Sequence, residues 1–163
     1  MKELWAPWRA EYITSSHEKG CIFCTRLKKR DDRQNLILYR GKKAFIILNR
    51  YPYNSGHLMI APRAHKADLT RLTGAERAEL FELVILASRI LSKAMPVDGL
   101  NIGLNIGEVA GSSIKDHLHI HVVPRFLGDT NFMPVVGQTK VQSFSLEDTY
   151  NSLKKALDGL LKK

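Results

Sequence analysis

The chain has 163 residues, 44% of them hydrophobic, with 25 Lys and Arg against 16 Asp and Glu for a formal net charge of +9. That length supports one domain with its own core and is short for two. The longest apolar runs, Ala44–Leu48 and Leu83–Ala87, fall far below a membrane span, and the opening Met1-Lys2-Glu3-Leu4-Trp5 has no apolar secretory core, so the reading is a soluble, cytoplasmic protein with no membrane partner. The charge favours anionic partners such as nucleotides, polyphosphates or nucleic acid, although the basic residues are scattered and any single cluster is more simply a solvated surface.

In chain order, residues 1–20 form an irregular arm whose Trp5, Pro7, Trp8, Tyr12 and Ile13 are anchors a disordered tail would not need. Both cysteines follow in Cys21-Ile22-Phe23-Cys24, a spacing that suggests a metal half-site before a disulfide. Leu36–Tyr39 and Ala44–Leu48 read as a hairpin. After a loop holding Pro52, Asn54 and Gly56, His57–Ala61 reads as a third strand closed by Pro62. Thr73-Gly74-Ala75-Glu76 matches a capping box, and Leu80, Val84, Ala87 and Leu91 continue at helical spacing, which predicts a helix from about 74 to 94. Leu100–Ile106 reads as a fourth strand, followed by the small-residue loop 107–113. After the strand described next comes a loop with Gly128, Asp129, Pro134 and Gly137, then a C-terminal amphipathic helix over about 145–162. The fold class is α+β, an antiparallel meander sheet of about five strands with one long crossover helix, in a single domain spanning 1–163.

The chemistry concentrates in Asp116-His117-Leu118-His119-Ile120-His121-Val122-Val123-Pro124-Arg125, which carries half of the six histidines. Strand periodicity sends Leu118, Ile120 and Val122 to a core and the three imidazoles to the other face, roughly 6.5–7 Å apart, with Pro124 expected to end the ladder. A neutral imidazole can attack phosphorus and carry it as a phosphoramidate, provided its tautomer is fixed and the displaced oxygens meet donors. The loop Gly107-Glu108-Val109-Ala110-Gly111-Ser112-Ser113 runs into the triad and offers such donors, while Gly111 has an equal claim as a simple turn residue. A competing arrangement makes the three histidines a zinc site holding hydroxide.

His117-Leu118-His119-Ile120-His121-Val122-Val123 resembles the signature of the histidine triad superfamily. Leu48–His65 is similar to that family's loop and strand, and Asn105-Ile106-Gly107 with Ala110–Ser113 forms a third matching segment. The arm Leu4–Arg9 and the stretch Pro124–Phe132 resemble the branch of fragile histidine triad proteins and microbial diadenosine tetraphosphate phosphorylases or hydrolases. The Gly111-to-His117 spacing, one residue longer than in the phosphoramidase branch, agrees.

The resemblance implies a HIT-like fold and a homodimer. It also implies an enzyme acting on an adenine nucleotide or dinucleoside polyphosphate through an adenylylated His119. His121 would contact phosphoryl oxygens and His57 support the catalytic network. Asn49 would bind the ribose, Asn105, Gly111 and Ser112 or Ser113 the phosphates, and Ile22 and Phe23 the adenine. Cys21, Cys24, His65 and His117 would hold one structural zinc per chain, with no organic cofactor. Water or phosphate remain open as acceptors, and phosphoramidate hydrolysis remains an alternative, as does a binding module without turnover; nucleic acid is not expected as the partner.

Overall fold

A computed structural model describes residues 20–112, 114–129, 136 and 141–162. Most of the amino-terminal arm, Ser113 and the greater part of 130–140 lie outside the described residues. Helix α1 (Ile22–Lys28) leads to strands β1 (Ile37–Arg40), β2 (Ala44–Leu48) and β3 (Leu58–Pro62). A short 3-10 turn, Leu69–Arg71, precedes α2 (Gly74–Ala94), followed by β4 (Gly99–Gly103), β5 (Ile120–Arg125) and α3 (Leu146–Leu161).

The strands form one antiparallel sheet in the order β1-β2-β3-β5-β4. The first three are a meander. The crossover through α2 then delivers β4 to the far edge, and β5 turns back to fill the gap beside β3.

Alternation along the strands divides the buried side chains into two layers. Ala44, Ile46 and Leu48 of β2, Leu58 and Ile60 of β3, and Ile120 and Val122 of β5 join Leu118 against α2 and α3. Phe45, Ile47, Met59 and Ala61 face the opposite way, with Phe23 of α1. Covering both faces explains why β2 and β3 are apolar throughout rather than alternating with polar residues. The long helix starts on the expected capping box: Thr73 Oγ1 accepts from the Glu76 amide, and the Glu76 carboxylate accepts from the Thr73 amide.

The histidine segment departs from the expected strand at both ends. Pairing between β3 and β5 begins only at Ile60↔Ile120, so His117, Leu118 and His119 precede the ladder. Pro62 is the cause, because it sits where the next rung would need an N–H and has none. Its carbonyl instead accepts the His117 Nε2 proton at 2.8 Å, while the Leu118 amide donates to the Lys66 carbonyl. At the other end Pro124 lies inside β5, paired with Leu100, and the strand runs to Arg125. Proline is tolerated there because β3 has already ended; the Pro124 carbonyl faces a side chain, Asn54 Nδ2, and not a strand.

Gly56 turns the chain into β3 at a φ of +90°, and a Cβ there would lie 3.1 Å from Leu91 Cδ2 and from Met95 Sδ. Both the backbone and the space therefore require glycine.

Ile60 is fully buried beneath the helices, whereas Phe81 on the outer face of α2 is 67% exposed. In urea unfolding, Ile60→Ala is expected to cost about 3 kcal/mol, and Phe81→Ala less than about 0.5 kcal/mol.

Candidate active site

At the N-terminus of α1, Cys21 occupies the capping position and Cys24 lies in the first turn, which brings both thiols to one side of the helix. They meet His65, just beyond β3, and His117, just before β5. The four donor atoms all lie within 4.8 Å of one another. Cys21 Sγ is 3.2 Å from His117 Nδ1, Cys24 Sγ is 3.4 Å from His65 Nδ1 and 3.6 Å from His117 Nδ1, and the two Nδ1 atoms are 3.3 Å apart.

Ligand bonds of about 2.0–2.3 Å around a tetrahedral metal give edges of about 3.3–3.8 Å, so this set is close enough to bind one ion. The tautomer agrees: His117 spends its Nε2 proton on Pro62, which leaves the Nδ1 lone pair aimed at the other three donors. Burial, together with the hydrogen bond and charge of Cys21, pushes the Cys24 thiol up, so the thiolates need a cation beside them.

Beyond this cradle, His57, His119 and His121 lie together, and their protons have one arrangement. The Tyr53 amide, an obligate donor, points at His57 Nδ1 at 3.2 Å, and Asn49 Nδ2 lies 3.1 Å from the same atom. His57 therefore carries its proton on Nε2 and donates it to His121 Nδ1 at 2.9 Å. His121, accepting there, carries its own proton on Nε2. His119 is oriented independently, because its Nδ1 proton goes to the His117 main-chain carbonyl at 2.9 Å. Its Nε2 is left with a free lone pair. The His119 and His121 rings sit 4.8 Å apart, nearly edge to face. One group thus offers an electron pair beside another that offers a proton, the combination that attack on phosphorus needs.

These imidazoles are held neutral. Burial, then the neighbouring His121 and His119, push His57 down to about 3. Burial, then His119, push His121 down to about 4. His119 is also lowered, chiefly by burial, against an opposing contribution from its hydrogen bond to His117. A neutral His119 keeps its lone pair over the whole physiological range.

The three triad members do not converge on one ligand. His117 belongs to the cradle, while His119 and His121 lie edge to face with His57 against His121. Asn49 joins that group through His57 and also caps its own loop by accepting from the Tyr51 amide. Ile22 is half-buried, and Phe23 is fully buried with its ring against His117 and His119. Asn105 and Gly111 are neighbours, since a Cβ on Gly111 would lie 3.6 Å from Asn105 Nδ2, and Gly111 has a φ of +88°. The amides of Gly111 and Ser112 are used within the loop, on the Glu108 and Gly107 carbonyls. Ser112 is buried.

Two contributors have no linear signature. Tyr53 sets the His57 tautomer through its amide and lays its half-exposed ring on His57 and His121. The Pro62 carbonyl fixes His117. Both are backbone roles, which residue identity does not encode.

A buried imidazole with an unprotonated ring nitrogen, a hydrogen-bond donor at its side and a cradle of two thiols and two imidazoles behind it is the arrangement the chain presents. Comparison agrees. Residues 30–128 match the model of the HIT domain. The AP-4-A phosphorylase of Mycobacterium tuberculosis is 39% identical over 158 residues, covering 91% of this chain and 80% of that protein. The nitrilase and fragile histidine triad fusion protein of Caenorhabditis elegans is 34% identical over 93 residues, 57% of this chain and 21% of its own length. Among solved structures, a Zn-bound histidine triad family protein from Mycobacterium smegmatis superposes with a TM-score of 0.70 at 25% identity, covering 88% of this chain and 96% of that one. The chain belongs to the histidine triad (HIT) family and is a HIT-family enzyme.

Because a free imidazole protonates near 6.5 and these are depressed, the unfolded chain takes up protons first as pH falls. The melting temperature is expected to hold above about pH 7 and to drop steadily as pH is lowered from 6.5 toward 4. In an NMR titration the His57 and His121 ring resonances should stay at their neutral positions through pH 5; a midpoint near 6.5 for either would contradict the burial argument.

Proposed function

We propose that this protein cleaves the α-phosphoanhydride of a dinucleoside polyphosphate, with diadenosine tetraphosphate as the first substrate to examine, through an adenylyl group carried on His119. The observation that carries this reading is the His119 hydrogen bond to the His117 carbonyl, which leaves Nε2 unprotonated beside the Nε2–H of His121. The likeness to the AP-4-A phosphorylase of Mycobacterium tuberculosis supports the choice of substrate.

In the first step the His119 Nε2 lone pair forms the N–P bond while the bond from the α-phosphorus to the bridging oxygen breaks. The electron pair leaves with the nucleoside polyphosphate. That leaving group departs as a stable anion, so no strong acid is required, and a neutral His121 that donates a hydrogen bond is sufficient. In the second step an acceptor oxygen attacks phosphorus, the N–P bond breaks, and His119 recovers its lone pair. Water as acceptor releases AMP; phosphate releases ADP.

In this reading Asn49 meets the ribose hydroxyls. Asn105, Gly111 and Ser112 or Ser113 meet the phosphates, and Ile22, with Phe23 behind it, lies against the adenine. Zinc is the metal assigned to Cys21, Cys24, His65 and His117. Two thiolates and two imidazoles would fill the coordination of such an ion and leave no position for substrate, so it would supply a structural tie, and the phosphorus chemistry stays with His119. We further take the enzyme to be cytoplasmic and dimeric. In support, no helix among the described residues is long and apolar enough to cross a membrane, and Phe81, Ile85 and edge-strand Ile102 expose apolar surface that a second subunit would cover.

Incubation with diadenosine tetraphosphate, with and without inorganic phosphate, decides the acceptor. AMP plus ATP without phosphate identifies a hydrolase, and ADP plus ATP only with phosphate identifies a phosphorylase. In either case His119→Ala is expected to lower turnover by at least about 10³-fold. Turnover that survives His119→Ala, or no turnover at all, would reject the covalent route. Protein purified without added metal or chelator is expected to carry about one zinc per chain by elemental analysis, and Cys24→Ser less than half of that.

A further inference from the structure

The metal cradle and the nucleophile share more than sequence proximity. His117 is bound three ways: Nε2 on the Pro62 carbonyl, Nδ1 facing Cys21, Cys24 and His65, and its own carbonyl accepting the His119 Nδ1 proton. The ring that closes the cradle therefore belongs to the same residue whose backbone selects the His119 tautomer.

Phe23 forms a second link. It sits between the two cradle cysteines in α1, has no exposed surface, and packs its ring 5.1 Å from the His117 ring and 5.0 Å from the His119 ring, tilted 53° and 45°. Phe45 backs it edge-on at 6.2 Å. Helix α1 has only seven residues, too few to persist without external ties. Arg40 holds its far end through the Leu27 and Lys29 carbonyls. The near end, where Phe23 lies, is placed by Cys21 and Cys24.

Resting on the reading of His119 as nucleophile, we propose that Phe23 is a positioning residue: fixed between the cradle cysteines, it presses the His119 ring into the orientation that keeps Nδ1–H on the His117 carbonyl and Nε2 toward phosphorus. The state of the cradle is thereby transmitted to the nucleophile. A residue that merely filled volume would be replaceable by another apolar side chain. A flat ring that defines the plane of its neighbour is not, because losing it frees His119 to rotate about χ2, and a misplacement of about 1 Å costs on the order of a hundredfold in rate.

The test uses the full-length, metal-replete protein with Phe23→Leu, and with Phe23→Met alongside, since both keep apolar bulk and Met supplies a second chance of a folded variant. Each is measured at one fixed pH for metal content and melting temperature. The His119 ring nitrogens are followed by long-range proton–nitrogen NMR without substrate, and adenylyl-enzyme formation by rapid mixing with diadenosine tetraphosphate and an alkaline quench. The expected result is retained zinc, a single Nδ1–H tautomer in wild type, and averaged ring nitrogens in the variants. Adenylylation should slow about tenfold to a hundredfold. Wild type stripped by chelator should show the same nitrogen averaging. Variants that keep both the tautomer and a rate within twofold would reduce Phe23 to core filler and overturn the proposal. If wild type forms no adduct, the nucleophile assignment fails by itself, while the substrate-free nitrogen spectra still decide whether Phe23 orients His119.

Discussion

The ladder between β3 and β5 is only three pairs long, Leu58↔Val122, Met59↔His121 and Ile60↔Ile120, and the site follows from where it starts and stops. Its register sets His121 directly across from Met59 and diagonal to His57, near enough for a hydrogen bond between the two rings. Its termination at Pro62 frees a carbonyl for His117 and lets the chain swing wide enough for four metal-ligating side chains to gather. On the other side β4 stops at Gly103, opposite His121, so no strand claims the His117 carbonyl and His119 takes it. A longer ladder would give a more regular sheet and a poorer site.

Neutrality governs the chemistry. A chain of charge +9 favours anionic partners, and the imidazoles of His57 and His121 inside are uncharged because burial and mutual proximity disfavour imidazolium ions. Since the Tyr53 amide cannot accept, the protons of His57 and His121 are ordered outward from a fixed backbone donor. Stored backbone hydrogen bonds thus replace a charged partner in orienting the site, and little reorganisation is needed when phosphorus arrives.

The cradle brings together residues 96 apart in the chain, Cys21 and His117, at the start of α1. It joins a short helix to the sheet, one residue away from His119. Phe23 and the His117 backbone stand between the cradle's four side chains and His119.

Residue order alone carried the two-residue period that separates Leu118, Ile120 and Val122 from the histidines, the capping box and length of α2, and the Cys21–Cys24 half-site, because each is a local pattern of residue types; His65 and His117 were added to that half-site by the family resemblance. It also marked the strands of the meander and the α+β class. It did not contain the short helix around Cys21-Ile22-Phe23-Cys24, whose seven residues are held by distant contacts, nor the end of the ladder at Pro62 and the survival of β5 through Pro124, which depend on which neighbour each proline faces. The different roles expected of three identical side chains came from the family resemblance and not from the residue pattern. His117, His119 and His121 differ only in what their nitrogens meet, and those partners, the Pro62 and His117 carbonyls and the His57 ring, come together only once the sheet has closed.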